Sequence, residues 1–258
     1  MSGFTDRLDT LASRVINKYS WSTVRKSQAI ATDVPIVTFT FDDVPDTALT
    51  NGAAILERYG ALGTFYLSGS LMGTKETYRN IIDAQGAREL ARRGHEIGCH
   101  TYAHRKAWKL SPGGLRRDIE KNGAMLAREQ IVDRAENFAF PYNAMSPLAR
   151  AMLRRRFRSC RAANEGINRN AMDPIALQAV EIRQPEDHAR SLTRWIDDVA
   201  QTPGWLIFFT HDIADFPTPY GCKPETLERL VSHAVAKGCQ ILPVCAALDR
   251  LEGKAEAA

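Results

Sequence analysis

Runs of apolar residues alternate with helix-like segments along most of the chain. The apolar runs span residues 36–41, 62–67, 95–99, 137–140, 157–162, 177–182, 205–210 and 239–242. Helical patterns lie between most of them, at 48–59, 83–93, 115–131, 148–156, 187–200 and 224–237. Such alternation predicts an α/β fold with a parallel sheet. Seven or eight strands of this kind favour a closed or nearly closed barrel over an open sheet.

A further helix is predicted before the first strand. Phe4, Leu8, Leu11, Val15 and Tyr19 fall at helical spacing. We expect this amphipathic helix to pack on the main domain. A membrane-surface or dimer contact is the alternative, because its polar face mixes acidic and basic side chains. The predicted division is a helical extension at residues 1–33 and one domain at 34–250, with no repeat or linker that splits it.

Composition and charge narrow the class of partner. The chain has 258 residues, of which 44% are hydrophobic and 25% charged, and its formal net charge is +4. These values fit a globular domain with one sizeable core, and the charge is too small to predict a nucleic-acid partner. The densest basic patch consists of Arg154, Arg155, Arg156, Arg158 and Arg161. We interpret it as the solvated end of a helix, with a site for an anionic glycan or a phosphate as the alternative.

Cysteine use and the N-terminus bear on the compartment. The chain has five cysteines and no CxxC pair, which argues against a disulfide framework or a zinc–thiolate site. The N-terminal residues lack the pattern of a secretory signal, and no apolar run approaches the roughly 20 residues of a membrane span. We therefore expect a cytoplasmic protein without a stable membrane span. The oligomeric state stays open.

Titratable side chains follow the strands of the predicted barrel. Asp42 and Asp43 end the first strand, His100 and His104 follow the third apolar run, and His211 follows the seventh. Active sites of α/β barrels lie at the carboxyl ends of the strands. The sequence therefore predicts that these five groups converge.

Two histidines and one aspartate from this set can hold a divalent ion. His100 and His104 are four residues apart, and on a helical turn that spacing places both imidazoles on one face. A carboxylate from Asp42 or Asp43 completes a two-His, one-carboxylate set with positions left for water and substrate. The other aspartate is then free to take a proton from water, and His211 can protonate a leaving group. These roles predict a hydrolase that acts on an acyl bond.

The same residues resemble the motifs of the polysaccharide deacetylases, the NodB-homology group of carbohydrate esterases, family 4. The family motif TFDDG resembles TFDDV at 40–44, H-[ST]-x-x-H resembles HTYAH at 100–104, R-x-P-Y resembles FAFPY at 138–142, and L-x-H resembles FTH at 209–211. The resemblance runs from about residue 34 to 248. It implies a distorted (β/α)7-type barrel, to which this chain adds the N-terminal helix.

The resemblance also implies a role for each residue. The catalytic groups would be the general base Asp42, the acid His211 and the backbone N–H of Tyr142, which would stabilise the oxyanion. The ligands of a divalent ion, Zn²⁺ or a similar metal, would be Asp43, His100 and His104. The substrate would contact Pro141, Tyr142 and Phe209.

Two positions depart from the family pattern. Val44 replaces the motif glycine, so the turn after Asp43 must avoid positive φ or bear strain. Ala139 stands where many family members carry an arginine that orients the base, and the acidic motif that partners this arginine is not recognised either. The ligands, the base and the acid are all present, so these losses do not predict inactivity.

The predicted function is the metal-dependent removal of acetyl groups from N-acetylated, or O-acetylated, oligosaccharides or polysaccharides. Such an enzyme hydrolyses carbon–nitrogen bonds other than peptide bonds. One alternative is an amidase of small linear or cyclic amides on the same scaffold, and another is an inactive sugar-binding module. Asp42 and His211 argue against the module, because a binding protein needs neither a base nor an acid. The sequence fixes neither the acceptor sugar nor the chain length.

Overall fold

The computed structural model describes residues 2–25 and 27–254, with side chains from residue 12 onward. Its α-helices are α1 Ser2–Ser22, α2 Ala54–Arg58, α3 Ala84–Arg92, α4 Pro112–Arg128, α5 Arg150–Arg156, α6 Leu192–Gln201, α7 Pro224–Ala236 and α8 Val244–Leu251. Its strands are β1 Gln28–Ala29, β2 Ile36–Asp42, β3 Thr64–Leu67, β4 Glu96–Cys99, β5 Asn137–Ala139, β6 Ser159–Arg161, β7 Ala171–Met172, β8 Val180–Glu181, β9 Trp205–Thr210 and β10 Gln240–Ile241.

Seven parallel strands form the expected barrel. Their order is β6–β5–β4–β3–β2–β9–β8, and β10 pairs with the start of β2. The two edges are joined because one segment reaches both: Leu177 bridges to Arg161 in β6, and Val180 pairs with Phe208 in β9. The predicted distorted (β/α)7-type barrel is therefore confirmed.

The central strand β2 is buried along its whole length, as its apolar sequence predicts. Phe41 stacks on Phe65 of β3 with ring centroids 4.6 Å apart, and Phe39 stacks on Phe208 of β9 at 5.5 Å. These rings belong to an apolar cluster that also contains Leu56 of α2. Because both faces of β2 are packed, the position of its last residue, Asp42, at the end of the strand is fixed.

Small and large residues alternate across neighbouring strands next to the site. Tyr66 of β3 pairs in register with Gly98 of β4, and Ala139 of β5 pairs with Arg161 of β6. A Cβ atom on Gly98 would lie 2.3 Å from the Tyr66 ring, so this position has no room for a side chain. The small residues make space for the two large, fully buried ones.

A polar network joins the starts of the strands below that layer. Glu96 accepts hydrogen bonds from Thr64 Oγ1 at 2.8 Å and Asn137 Nδ2 at 2.6 Å, and the backbone N–H of Cys245 donates to it at 2.9 Å. Ser159 Oγ donates to Asn137 Oδ1 at 2.8 Å. Because these groups satisfy one another, they tie four strands and α8 together at the amino ends of the strands.

The N-terminal helix forms as predicted, but its contacts differ from the expected ones. Val15 and Tyr19 are 62% and 61% exposed, so this part of the predicted apolar face does not pack on the barrel. The helix instead contacts the rest of the domain through two other residues. Ser13 accepts a hydrogen bond from Lys106 at 3.0 Å, and Trp21 packs on the core. The side chains of Phe4, Leu8 and Leu11 lie outside the described residues.

Among the helices of the described part, none combines the length and apolarity that crossing a bilayer requires.

Helix and strand positions agree with the sequence pattern apart from a few ends. The helix predicted at 187–200 begins at Leu192, and the strand predicted at 177–182 is reduced to β8 plus the bridge at Leu177. Two features were not predicted: α8, and the antiparallel pair of β1 with β7. All five cysteines are free thiols.

Candidate functional site

The chain turns sharply after β2, and this turn carries both aspartates. Asp43 and Val44 have φ values of +59° and +57°. A β-branched residue in this left-handed region costs on the order of 1–3 kcal/mol. Of the two outcomes expected for Val44 in place of glycine, the turn therefore bears strain. Complete burial of the Val44 side chain offsets part of that cost.

The histidine pair comes from a loop and not from a helical turn. His100 and His104 lie in the irregular segment after β4, where Thr101 and His104 have φ values of +63° and +47°. Asp118 of α4 holds this loop by accepting the backbone N–H of Tyr102 at 3.0 Å and of Ala103 at 3.2 Å. The predicted helical geometry was therefore wrong, although the loop still brings both imidazoles to one side.

The predicted ligand groups lie together. Asp43 Oδ1 is 3.0 Å from His104 Nε2 and 3.7 Å from His100 Nε2, and one ligand atom from each of the three residues lies within 4.8 Å of the others. Asp43 Oδ1 is buried and has no hydrogen bond of acceptable geometry among the described residues. A buried carboxylate oxygen that faces two imidazole nitrogens without a donor fits a cation.

Hydrogen bonding prepares His100 to act as a ligand. Its Nδ1 lies 2.9 Å from the carbonyl oxygen of Ala139, so Nδ1 carries the proton and donates it. The Nε2 lone pair is then directed toward Asp43. Burial lowers the pKa of His100 to about 4, which keeps the ring neutral near pH 7.

Asp43 stays ionised in this environment. Burial alone would raise its pKa, but the side chain of His104 and the charges of His100 and His211 hold the pKa below the ordinary value. Its second oxygen, Oδ2, accepts a hydrogen bond from Arg79 at 2.9 Å. The hydrogen bond from Arg79 thus fixes Oδ2, and Oδ1 is left facing the histidines.

Asp42 is held by an arginine that the sequence analysis placed elsewhere. Arg161 Nη2 donates to Asp42 Oδ2, and Arg161 Nη1 donates to Asn143 Oδ1 at 3.3 Å. The guanidinium lies between the rings of Phe209, at 4.5 Å, and Tyr66, at 5.5 Å. The prediction that Arg161 belongs to a solvated helix end was wrong, because its side chain is completely buried in the barrel.

Arg161 stands beside the position where the family motif has its arginine. Ala139 and Arg161 are register partners on the neighbouring strands β5 and β6. Their side chains therefore point to the same face of the sheet. The sequence could have indicated that Arg161 is buried and paired, since Arg161 lies inside the predicted strand 157–162, where a charged residue requires a partner.

Asp42 has one oxygen engaged and one unpaired. Oδ1 is buried and makes no hydrogen bond with the described residues. Because Arg161 fixes Oδ2, the free oxygen is oriented and can accept a proton.

His211 approaches the ligand set from the end of β9. Its Nδ1 lies 3.2 Å from the Tyr220 carbonyl oxygen, and its Nε2 lies 4.0 Å from Asp43 Oδ2. With Nδ1–H donated to Tyr220, Nε2 faces the cleft. Tyr220 belongs to the loop after His211, which Asp212 stabilises through bonds to Thr218 N at 2.7 Å and Oγ1 at 2.6 Å.

The segment after β5 places Tyr142 in the cleft. Pro141–Asn143 forms one 3-10 turn in which Tyr142 has a φ of +56°, and its ring lies 4.7 Å from that of His104. Pro141 and Phe209 are buried and do not line the cleft. Substrate contact by these two residues stays a prediction.

These residues surround one cleft of about 400 Å³. Asp42, Asp43, His100, His104 and His211 all line it. Side chains that the sequence analysis did not identify complete the wall: Leu71, Glu76, Arg79, Asn143, Glu181 and Tyr220. The loops that supply most of them could not be placed from the sequence, because their backbone follows no periodic pattern.

Comparison with known proteins agrees with this geometry. The model of the polysaccharide deacetylase family matches residues 29–156. A chitin deacetylase of Arthroderma benhamiae is 29% identical over 110 residues, which are 43% of this chain and 28% of that protein. A peptidoglycan-N-acetylglucosamine deacetylase of Bacillus cereus is 32% identical over 104 residues, which are 40% and 33% of the two chains. The chain thus matches a third or less of each relative's length.

Solved structures share the fold at low sequence identity. A family 4 acetyl xylan esterase from Clostridium thermocellum, in complex with a cobalt ion, aligns with a TM-score of 0.56 at 21% identity and covers 84% of this chain and 92% of that one. A CE4 family pseudoenzyme from Bacillus anthracis aligns with a TM-score of 0.58 at 16% identity, over 86% and 68%. The family match, the motifs and the barrel agree, and residues 29–156 of the chain belong to the polysaccharide deacetylase family.

Proposed function

We propose that the protein is a metal-dependent deacetylase of acetylated oligosaccharides or polysaccharides, with the N-acetyl group of an amino sugar as its preferred target. The observation that carries the proposal is the state of Asp42. One of its oxygens is fixed by buried Arg161, and the other is unpaired next to the ligand set. A protein that only binds sugar has no use for a carboxylate oriented in this way.

Asp43, His100 and His104 are the residues that would hold the ion. Their donor atoms lie within 4.8 Å of one another, and His100 is already in the tautomer that a ligand requires. A divalent ion at this position lowers the pKa of water and polarises a carbonyl group. Two imidazoles and one carboxylate fit Zn²⁺ or a similar ion, and leave room for water and substrate.

In the proposed reaction, Asp42 and His211 carry out the proton transfers. Asp42 Oδ1 accepts the proton of the water that adds to the acetyl carbonyl carbon. His211 enters this step as an imidazolium, with Nδ1–H held by the Tyr220 carbonyl, and its Nε2 proton passes to the departing amine nitrogen as the carbon–nitrogen bond breaks. The backbone N–H of Tyr142 is the proposed donor to the oxyanion.

Two alternative functions are an amidase of small amides and an inactive sugar-binding module. An amidase of small amides would use the same base and acid, and differs only in the substrate that fits the cleft. The pseudoenzyme neighbour shows that this fold occurs without activity. In this chain, however, both proton-transfer residues stand beside a complete ligand set.

The test is acetate release from N-acetylated chitooligosaccharides and peptidoglycan fragments, before and after chelation and after addition of Zn²⁺. We expect acetate that disappears with chelator and returns with the ion. Ammonia or a ring-opened product from small amides, without acetate, would favour the amidase. Saturable sugar binding without any turnover would identify a binding module and contradict the proposal.

Asp42→Asn tests the assignment of the base. The substitution keeps the shape of the side chain but removes its ability to accept the proton, so we expect turnover to fall by about 10²–10⁴-fold. Metal content, measured by elemental analysis, is expected to stay near that of the wild type, because Asp42 is not a ligand. Turnover close to wild type in a metal-loaded variant would remove Asp42 from the role.

A further inference from the structure

The basic patch singled out in the sequence forms the wall of a second cavity. Arg154, Arg155, Arg156 and Arg158 are joined there by Arg134 from the loop before β5, around a volume of about 350 Å³. Glu136, Phe157, Pro174 and Ile175 complete the lining. Five guanidinium groups from two separate segments therefore face one space.

The cavity lies at the opposite end of the barrel from the catalytic cleft. Glu136 directly precedes β5, and Arg158 directly precedes β6, so the lining belongs to the amino ends of these strands. The residues of the cleft follow the carboxyl ends. A ligand in this cavity would not occupy the deacetylase site.

Two of the five arginines form ion pairs with carboxylates. Arg154 pairs with Asp173 at 3.2 Å, and Arg158 pairs with Asp249 at 2.7 Å and with Glu136 at 3.5 Å. Arg158 also lies 3.1 Å from Glu252 and is therefore fully compensated, whereas Arg154 shares Asp173 with Arg150.

The other three arginines have no carboxylate within 4 Å in the described part of the chain. Arg156 donates to the carbonyl oxygen of Ala135 at 3.2 Å, and Arg134 has only a weak contact of 3.5 Å with the carbonyl oxygen of Arg156. Arg155 is exposed and has no hydrogen-bond or ion-pair partner among these residues. Three uncompensated positive charges thus surround the cavity.

The C-terminus of α5 explains only part of the clustering of arginines around the cavity. Cations in the last turn of α5 are favoured by the carbonyl groups there, which accounts for Arg154, Arg155 and Arg156. It does not account for Arg134, which another segment brings to the same cavity. Like charges that converge from separate elements repel one another unless an anion lies between them.

We propose that this cavity binds a phosphate group, as a free phosphorylated molecule or as a lipid headgroup. Guanidinium groups bind phosphate oxygens through paired N–H donors, and a phosphate with about two negative charges balances three arginines better than one carboxylate does. Phe157, Pro174 and Ile175 form an apolar wall that would contact the rest of the ligand.

The probe is inorganic pyrophosphate, titrated into the full chain by calorimetry at low salt. We expect one saturable site, and we expect Arg134→Gln/Arg155→Gln to weaken binding by at least about tenfold, because the variant lacks two of the three uncompensated guanidinium groups. Both side chains are exposed, so the variant should fold normally. The matched control is Arg116→Gln/Arg128→Gln, which removes the same charge from exposed positions on α4 outside the cavity.

Vesicles of phosphatidylcholine with and without phosphatidic acid distinguish the two sources. The ligand is a headgroup if the wild type sediments with the acidic vesicles, pyrophosphate reverses this sedimentation, and the cavity variant does not sediment. Pyrophosphate binding without such sedimentation would identify a soluble ligand. Absence of saturable pyrophosphate binding, or equal binding by the cavity variant and the control, would overturn the proposal. Acetate release by the cavity variant should equal that of the wild type.

Discussion

At the scale of single residues, the pair of Arg161 and Asp42 sets the geometry of the proposed base. Arg161 is enclosed by Phe209, Tyr66 and Asn143 and cannot move without disturbing the barrel interior. Breaking a buried ion pair by removal of one partner leaves an uncompensated charge and costs about 3–5 kcal/mol. The arginine therefore supports both the fold and the orientation of the Asp42 carboxylate.

Moving the arginine back to the neighbouring strand tests this role. We expect Arg161→Ala to lower acetate release by about 100-fold, because the base loses its orientation. Adding Ala139→Arg to this variant should restore at least a tenth of the wild-type rate, since position 139 is the register partner and faces the same space. Thermal unfolding checks that both variants are folded. A folded double variant with no recovery would contradict the view that either strand can supply the guanidinium.

Residues of this kind limit what the sequence can predict. The five titratable groups were found because each follows an apolar run at a strand end. Arg161 was missed because only the strand register places it next to Ala139, and the register depends on contacts between segments far apart in the chain. The positive φ values of Thr101 and His104 were missed for a related reason, since no local rule requires them of these residue types.

At the scale of elements, two pairs of neighbouring strands, β3 with β4 and β5 with β6, each place a small residue next to a large one beside the site. Gly98 of β4 admits Tyr66, and Ala139 of β5 admits Arg161. The strand positions themselves were predictable, because buried parallel strands have nearly continuous apolar sequences. The short pair of β1 and β7 was not, because two residues carry too little pattern.

Gly98→Ala tests this complementarity. The added Cβ would lie 2.3 Å from the Tyr66 ring, so this ring, which lies 5.5 Å from the Arg161 guanidinium, must shift. We expect a loss of about 1–3 kcal/mol in unfolding free energy and a reduced rate of acetate release. Gly123→Ala is the control: it lies inside α4 with no contact closer than 3.7 Å, and should gain about 0.5–1 kcal/mol. Urea unfolding measures both, and equal effects would show that Gly98 has room for a methyl group.

At the scale of the whole molecule, the barrel separates two charged regions. The cleft at the carboxyl ends gathers acids and histidines, and the cavity at the amino ends gathers arginines. The cleft also contains the buried imidazole of His100, whose pKa burial lowers. The stability of the protein and the proposed metal binding therefore both depend on His100.

The pH dependence of the metal-free protein follows from two buried histidines, His100 in the cleft and His95 outside it. Burial lowers the pKa of His100 to about 4 and also lowers that of His95. Between the unfolded pKa of 6.5 and the folded value the unfolded state binds more protons, so stability falls as the pH falls. From pH 7 to 5.5 we expect His100 alone to lower the unfolding free energy by about 1 kcal/mol. His100→Asn should lose that part of the decrease, and a metal-free wild type equally stable at both pH values would contradict the assignment.

The central claim is that Asp43, His100 and His104 form one ion site, and calorimetric titration of Zn²⁺ tests it most directly. We predict one site per chain in the wild type and loss of that site in His100→Ala. Arg161→Ala, which leaves all three ligands in place, should retain it. Zinc binding that is equal in the wild type and His100→Ala, or absent from the folded wild type, would contradict the account.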